Sequence, residues 1–185
     1  QGGELPILDG SATPWVKKLI PAAHGGSVAS LTLDDVVTIG DENNWIRAVP
    51  HESLILDVRV CYPGLRAQRF VGGRERFEEA SSARTFGYLS QWPTLKAEGL
   101  ALGANMENTL VLDASGHPLN EGGWRMPQEL AKHKWLDLLG DLRILPFRLK
   151  AAITAHRAGH SLHRSMIAVI FENWMQDRVS SSNNV

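Results

Sequence analysis

Cysteine is almost missing from this sequence. Cys61 stands alone among 185 residues, and a single thiol cannot close an internal disulfide, so a disulfide-stapled secreted scaffold is excluded. No uncharged apolar run approaches the roughly 18 residues that a bilayer span requires, and no stretch has the charged-then-apolar pattern of a secretion signal. Neither sign of charge is in excess. Nineteen Lys+Arg face 20 Asp+Glu for a formal net charge of -1, which argues against broad electrostatic binding to nucleic acid or to an anionic membrane. Internal repeats, low-complexity tracts, a phosphate loop, a GxSxG elbow and a CxxC pair are absent too. What remains is a soluble protein, expected in the cytoplasm. Its 43% hydrophobic and 21% charged residues suffice for the core of one domain, or one domain and a fragment of another. The chain opens on Gln1, so the native start is expected to be absent or removed.

Hydrophobic periodicity divides the chain. Leu5 and Ile7 predict a short strand closed by an Asp9-Gly10 turn, and Thr13 with Pro14 opens a helix that Pro21 stops. Residues 21–27 are glycine-rich and predict a linker. Strands follow over 28–39, 45–49, 54–60 and 66–71, where Leu54, Leu56, Val58 and Val60 mark one richly apolar face. Helical signals lie at 75–82 and 88–98, and a short β run at 109–112. The strongest helix has Pro127 in its first turn, Glu129 complementing the dipole, and leucines and Trp135 carrying it to about Leu145. A strand over 147–155 and a helix from Ser161 to about Asp177 complete the domain, before a frayed tail at 179–185. This order predicts an α+β layered domain and not a doubly wound sheet.

His133 and Asp137 sit four residues apart in the strongest helix, on one face and about a turn apart. Imidazole nitrogen and carboxylate oxygen suit zinc, and two ligands on consecutive turns form a rigid half-site. Asp141 extends the stripe and is placed to orient a ligand or a catalytic imidazole. The same stripe also fits a solvated face with a His–Asp helix pair, because zinc wants at least three ligands. A second cluster runs His156, His160, His163 around Gly159. At a helix start the dipole disfavours imidazolium, which Asp141 counters for His160, whereas His156 and His163 are expected to be surface polar residues. Thr85, beside Gly87 and flanked by Phe86 and Tyr88, suits a polar ligand group above an apolar slot. His24, His51 and His117 are expected to be exposed, Glu78 and Glu79 solvated, and Cys61 a buried apolar residue.

Five phrases then fall in one order: Leu5-Pro6-Ile7-Leu8-Asp9-Gly10-Ser11-Ala12, Ala83-Arg84-Thr85-Phe86-Gly87-Tyr88, Leu119-Asn120-Glu121, His133-Lys134 with Asp137 and Gly140-Asp141, and Gly159-His160. Together they resemble the UDP-3-O-acyl-N-acetylglucosamine deacetylases, zinc enzymes of lipid A synthesis, from about Leu5 to Trp174 with a shortened stretch near Arg66–Arg76. The resemblance implies a two-layer sheet/helix sandwich domain of that family over residues 28–178, preceded at 1–20 by the last strand and helix of a partial first domain. It implies Zn2+ held by His133 and Asp137. His160 becomes the general acid or electrostatic stabiliser with Asp141 as its partner, and Lys134 lies beside the metal. Thr85 steadies the oxyanion or the substrate carbonyl, with Phe86 and Tyr88 near the nucleotide and sugar of a UDP-acyl-sugar substrate.

Some positions depart from the family. Its third zinc ligand, a histidine, and its glutamate base lie upstream of Leu5. Asp34-Asp35 stands where a basic residue is expected, and His163-Arg164 where amides are expected. One reading is therefore the larger part of an active deacetylase whose missing first-domain piece is another polypeptide or has been lost. Another is a truncated, non-catalytic homologue serving as a binding or regulatory module, seeking a partner or a second copy of itself. In a third, His24 or His117 substitutes for the missing ligand.

Overall fold

The computed structural model describes residues 6–23, 26–62 and 64–182. Its centre is β8 (Arg148–His156), a nine-residue strand in which alternate residues Leu149, Ala151, Ile153 and Ala155 are buried. Small and branched side chains in strict alternation give one face that packs and one that does not. β3 (Trp45–Pro50) pairs antiparallel with β8 on one side, and β4 (Ile55–Val60) runs parallel to it on the other. β2 (Val37–Gly40) and β5 (Gln68–Gly72) extend the sheet outward in the order β2-β3-β8-β4-β5. β1 (Ser30–Thr32) pairs parallel with the opening residues of β8.

Two helices cover the apolar face. α4 (Glu129–Asp141) lies over β4 and β5, with Leu130, Ala131, Trp135 and Leu138 directed into the core; α5 (His160–Ser182) lies over β2 and β3 through Met166, Ile167 and Ile170. The Trp135 indole meets Phe70 edge-on at 5.6 Å and donates its Nε1–H to the Gly72 carbonyl at 3.1 Å. Burying an indole with its one polar atom satisfied secures α4 against the sheet. A second, two-stranded sheet shares the core, in which β6 (Phe86–Tyr88) and β7 (Leu110–Leu112) pair parallel and are joined through α3 (Trp92–Ala97). The fold is α+β, a mixed sheet under a layer of helices, as the element order implied.

Several expectations need correcting. Among the described residues 6–12 there is no strand; Leu8 and Gly10 are left-handed, at φ of 52° and 78°, and the segment turns into α1 (Thr13–Leu19). Leu5 lies outside the described residues. Pro21 does not end α1 outright, since a 3-10 turn over Ile20–Ala22 continues it. The 75–82 helix shrinks to a 3-10 turn and α2 (Phe77–Ala80). α4 begins at Glu129, after a left-handed Gln128 at φ 58° that no helix can include. Gln68 Oε1, reaching from β5, accepts from the Leu130 N–H at 3.1 Å and so caps α4 from the sheet. The supposed tail is helical through Ser182, and Cys61 is exposed.

Candidate functional site

α4 carries acidic and imidazole groups at every fourth position, Glu129, His133, Asp137 and Asp141, so that a polar stripe winds up the flank of a helix whose other face is core. His133 Nε2 stands 3.5 Å from Asp137 Oδ1. Two ligand atoms of a tetrahedral zinc, each about 2.0–2.2 Å from the ion, lie about 3.3 Å apart, so the pair fits that ion as it stands. The other carboxylate oxygen is engaged elsewhere: the Lys134 ammonium donates to Asp137 Oδ2 at 2.9 Å, and His160 Nε2 lies 3.8 Å from it. The His133 ring turns Nδ1 toward the Ala83 carbonyl at 3.4 Å. With a proton on that nitrogen, the Nε2 lone pair faces Asp137.

Burial pushes the His133 pKa down, against the pull of Asp137, and so disfavours the charged form of the ring. Burial also works against the Asp137 carboxylate, but His133, Lys134 and His160 outweigh it and hold its pKa below the ordinary 3.8. A neutral imidazole beside an ionised carboxylate is the protonation pattern that a divalent metal requires.

Asp141, the last residue of α4, faces the first turn of α5. Its Oδ2 accepts from His160 Nδ1 at 2.7 Å and from His163 Nδ1 at 2.7 Å. The sequence expectation for His163 fails here, because its ring is 1% exposed and among the largest fully buried side chains. His156 is half-buried and stacks on Trp45 at 5.8 Å. His117 stays exposed beside Asp113, 3.8 Å away, and offers no ligand near His133. His24 lies outside the described residues. Glu78 and Glu79 are exposed as expected, with Glu79 paired to Arg76 and Lys132.

Thr85 immediately precedes β6, and Phe86 and Tyr88 are its first and last residues. The Phe86 ring meets His133 edge-on at 6.1 Å and sits 5.6 Å from Lys134 Nζ. Tyr62 packs edge-on against both Phe86 and Tyr88, at 5.6 and 6.4 Å, and burial raises its phenol pKa. Behind Phe86 a cavity of about 370 Å³ runs between the β6–β7 pair and α3, lined by Thr85, Tyr88, Trp92, Leu95, Leu102 and Val111 among others. An apolar slot thus lies behind the ring that meets His133.

Two features escaped the sequence. Tyr62 carried no motif. Glu129, taken as a dipole partner, has a side chain with 0% exposure and instead receives the Arg84 guanidinium at 2.7 Å, the Arg84 N–H at 3.1 Å and the Arg125 N–H at 2.7 Å. Burial opposes that carboxylate, yet these donors, Arg84 foremost, keep its pKa below the ordinary 4.5. Because Arg84 sits between Ala83 and Thr85, this ion pair fixes the loop that contacts His133.

A mixed sheet under helices, with imidazoles and carboxylates converging where α4 meets α5, defines an α+β domain built around a polar helix-junction site. Residues 1–172 match the family model described as UDP-3-O-acyl N-acetylglycosamine deacetylase, and the chain belongs to that family. Proteins named UDP-3-O-acyl-N-acetylglucosamine deacetylase from Histophilus somni and Pasteurella multocida are each 31% identical to it, over 92% of this chain and 59% of their own length. A protein of the same name from Psychrobacter cryohalolentis is 32% identical over 92% of this chain and 56% of its own. The chain therefore spans rather more than half the length of the curated relatives it matches. Among the described residues, no helix is long and apolar enough to cross a membrane.

Proposed function

We propose that this chain carries half of the zinc site and the proton-donating imidazole of a UDP-3-O-acyl-N-acetylglucosamine deacetylase of lipid A synthesis. The observation that carries this reading is the 3.5 Å pairing of His133 Nε2 with Asp137 Oδ1, one turn below an imidazole anchored on Asp141. His133 and Asp137 would hold the ion, with the remaining ligand and the glutamate base supplied by first-domain residues outside this chain, from another polypeptide or a longer protein. Zinc, when bound, lowers the pKa of a coordinated water and polarises the amide carbonyl. Lys134 holds the second oxygen of Asp137 and so leaves the first free to bind the metal. The Thr85 hydroxyl steadies the substrate carbonyl. His160, acting as the imidazolium, keeps its Nδ1–H on Asp141 and gives its Nε2 proton to the departing amine as the C–N bond breaks. Water supplies the hydroxyl of the acetate, which leaves a free amino sugar and the neutral Nδ1–H ring.

The substrate's acyl chain suits the cavity behind Phe86, since apolar walls reward burial of each methylene by about 0.8 kcal/mol. A side chain at Gly87 would enter open space on that wall, where a Cβ meets nothing within 4 Å. Gly87→Trp is accordingly expected to leave the unfolding midpoint unchanged. It should weaken dodecanoate binding, followed by calorimetry, by about tenfold or more, the loss of two buried methylenes. Unchanged dodecanoate affinity would place the acyl chain elsewhere.

Zinc itself tests the central reading. With the first-domain segment added in trans, the protein is expected to bind one zinc. His133→Ala and Asp137→Ala should each lower that affinity by more than the 10–100-fold typical of losing an outer partner. Absence of zinc binding at neutral pH in the complemented protein would favour a non-catalytic module instead.

A further inference from the structure

The hydrogen bond from His163 to Asp141 has no part in the chemistry above. His163 stands three residues after His160 on α5, so both rings emerge on one side of the helix, 5.8 Å apart and nearly perpendicular at 75°. Both place Nδ1 at 2.7 Å from the same oxygen of Asp141. A carboxylate oxygen only accepts, so each ring must present an N–H there. The two imidazoles differ sharply in setting. The His160 side chain is 50% exposed, whereas that of His163 is 1% exposed. The exposed ring is free to turn on its own; the buried one is held by packing. His163 also begins the hydrogen-bonded ladder of α5, its N–H donating to the Gly159 carbonyl at 3.1 Å.

We propose that His163 is a positioning residue. From a fixed ring in the core it pins Asp141 Oδ2, and the pinned oxygen holds the Nδ1–H of His160. Nε2 is thereby aimed at the Asp137 side of the site both when it carries the proton to be donated and after donation, when the neutral ring is left as the Nδ1–H form. Asp141 also joins the end of α4 to the start of α5, so the same two bonds set the spacing of the helices that carry the proposed ligand pair and the proposed acid. The need for such a device follows from geometry, because a half-exposed imidazole with a single anchor has a second rotamer and a second tautomer available to it. A misplacement of about 1 Å in a reacting group is enough to cost about a hundredfold in rate.

The functional part of this inference rests on the deacetylase reading; the structural part does not, and the experiment separates them. Long-range 1H–15N correlation of the histidine rings, in this chain at a pH where they are neutral, is expected to show both His160 and His163 as Nδ1–H. His163→Leu should return His160 toward the Nε2–H form that dominates in water, and His163→Asn, whose amide reaches the same oxygen, should keep it as Nδ1–H. In the complemented protein, His163→Leu is expected to lower kcat by about tenfold to a hundredfold with KM unchanged, and His163→Asn to recover most of it. His163 in the Nε2–H form in the unmodified chain overturns the proposal without any variant having to fold. So does His160 remaining Nδ1–H in a folded His163→Leu. If the ring signatures behave as stated but the complemented protein shows no turnover, the deacetylase reading fails and the pinning of Asp141 stands.

Discussion

Glu129→Ala is expected to lower the unfolding free energy by about 3–5 kcal/mol, the range for removing one partner of a buried ion pair. The Arg84 side chain is 8% exposed, so its guanidinium would be left charged, dry and without its carboxylate, while the Arg84 and Arg125 N–H groups would lose their acceptor. The Asp57 cluster provides the control. Arg59 and Arg69 both pair with Asp57 at 2.7 Å; the Asp57 side chain is 13% exposed, but the arginines are 44% and 57% exposed. Water therefore reaches both guanidinium groups when the carboxylate is removed, and no charge is left dry. Asp57→Ala should therefore cost far less in the same denaturant titration at neutral pH. The pH dependence has a defined sign. A carboxyl whose folded pKa lies below its ordinary 4.5 adds stability that is present above that value and lost as pH falls through the folded pKa. The Ala variant should consequently lose less stability than the unmodified protein as pH drops below about 4.5. A cost under about 1 kcal/mol for Glu129→Ala would mean that Arg84 finds water or another acceptor. That ion pair also fixes Ala83, so the variant should weaken zinc binding as well, although Glu129 touches no ligand atom.

Elements dominated by their own periodicity could be read from the chain. The alternation in β4 and the apolar face of α4 name most of their buried residues, because a side chain's direction along a strand or helix is set by backbone geometry alone. The pairing of His133 with Asp137 belongs to the same class, since both groups ride one helix. What depended on partners far along the chain could not be read that way. Glu129 meets Arg84 across 45 positions, and His163 meets Asp141 across 22; nothing local marks either as buried. The expectation that His163 lay at the surface followed from composition near a turn, and it failed because α5 rotates that position against the end of α4. Cys61 fails in the opposite sense, for it follows β4 just where the strand leaves the sheet. The start of α4 was misplaced because Gln128 adopts a left-handed conformation that ordinary residues rarely take, while the cap comes from Gln68 on another strand.

Turnover of UDP-3-O-acyl-N-acetylglucosamine by the complemented protein is expected to fall by about a hundredfold or more in His160→Ala, the usual weight of a general acid, while zinc content stays unchanged. The two readouts are separable in this site. His160 Nε2 lies 3.8 Å from Asp137 Oδ2, the oxygen that Lys134 already holds, and not beside the oxygen that pairs with His133. Removing the ring thus takes away the proposed proton donor without disturbing the His133–Asp137 contact proposed to hold the ion. Asp141→Asn should act in the same direction but less severely, because an amide can still present its oxygen to Nδ1–H, in a weaker hydrogen bond than a carboxylate makes. An enzyme that lost zinc together with His160 would show that this imidazole is itself a ligand, and the proton would then have to reach the amine from another group. Lys134 is the nearest cation to the Asp137 carboxylate, at 2.9 Å, so Lys134→Met, which keeps the length of the side chain and discards its proton, would decide between the two donors.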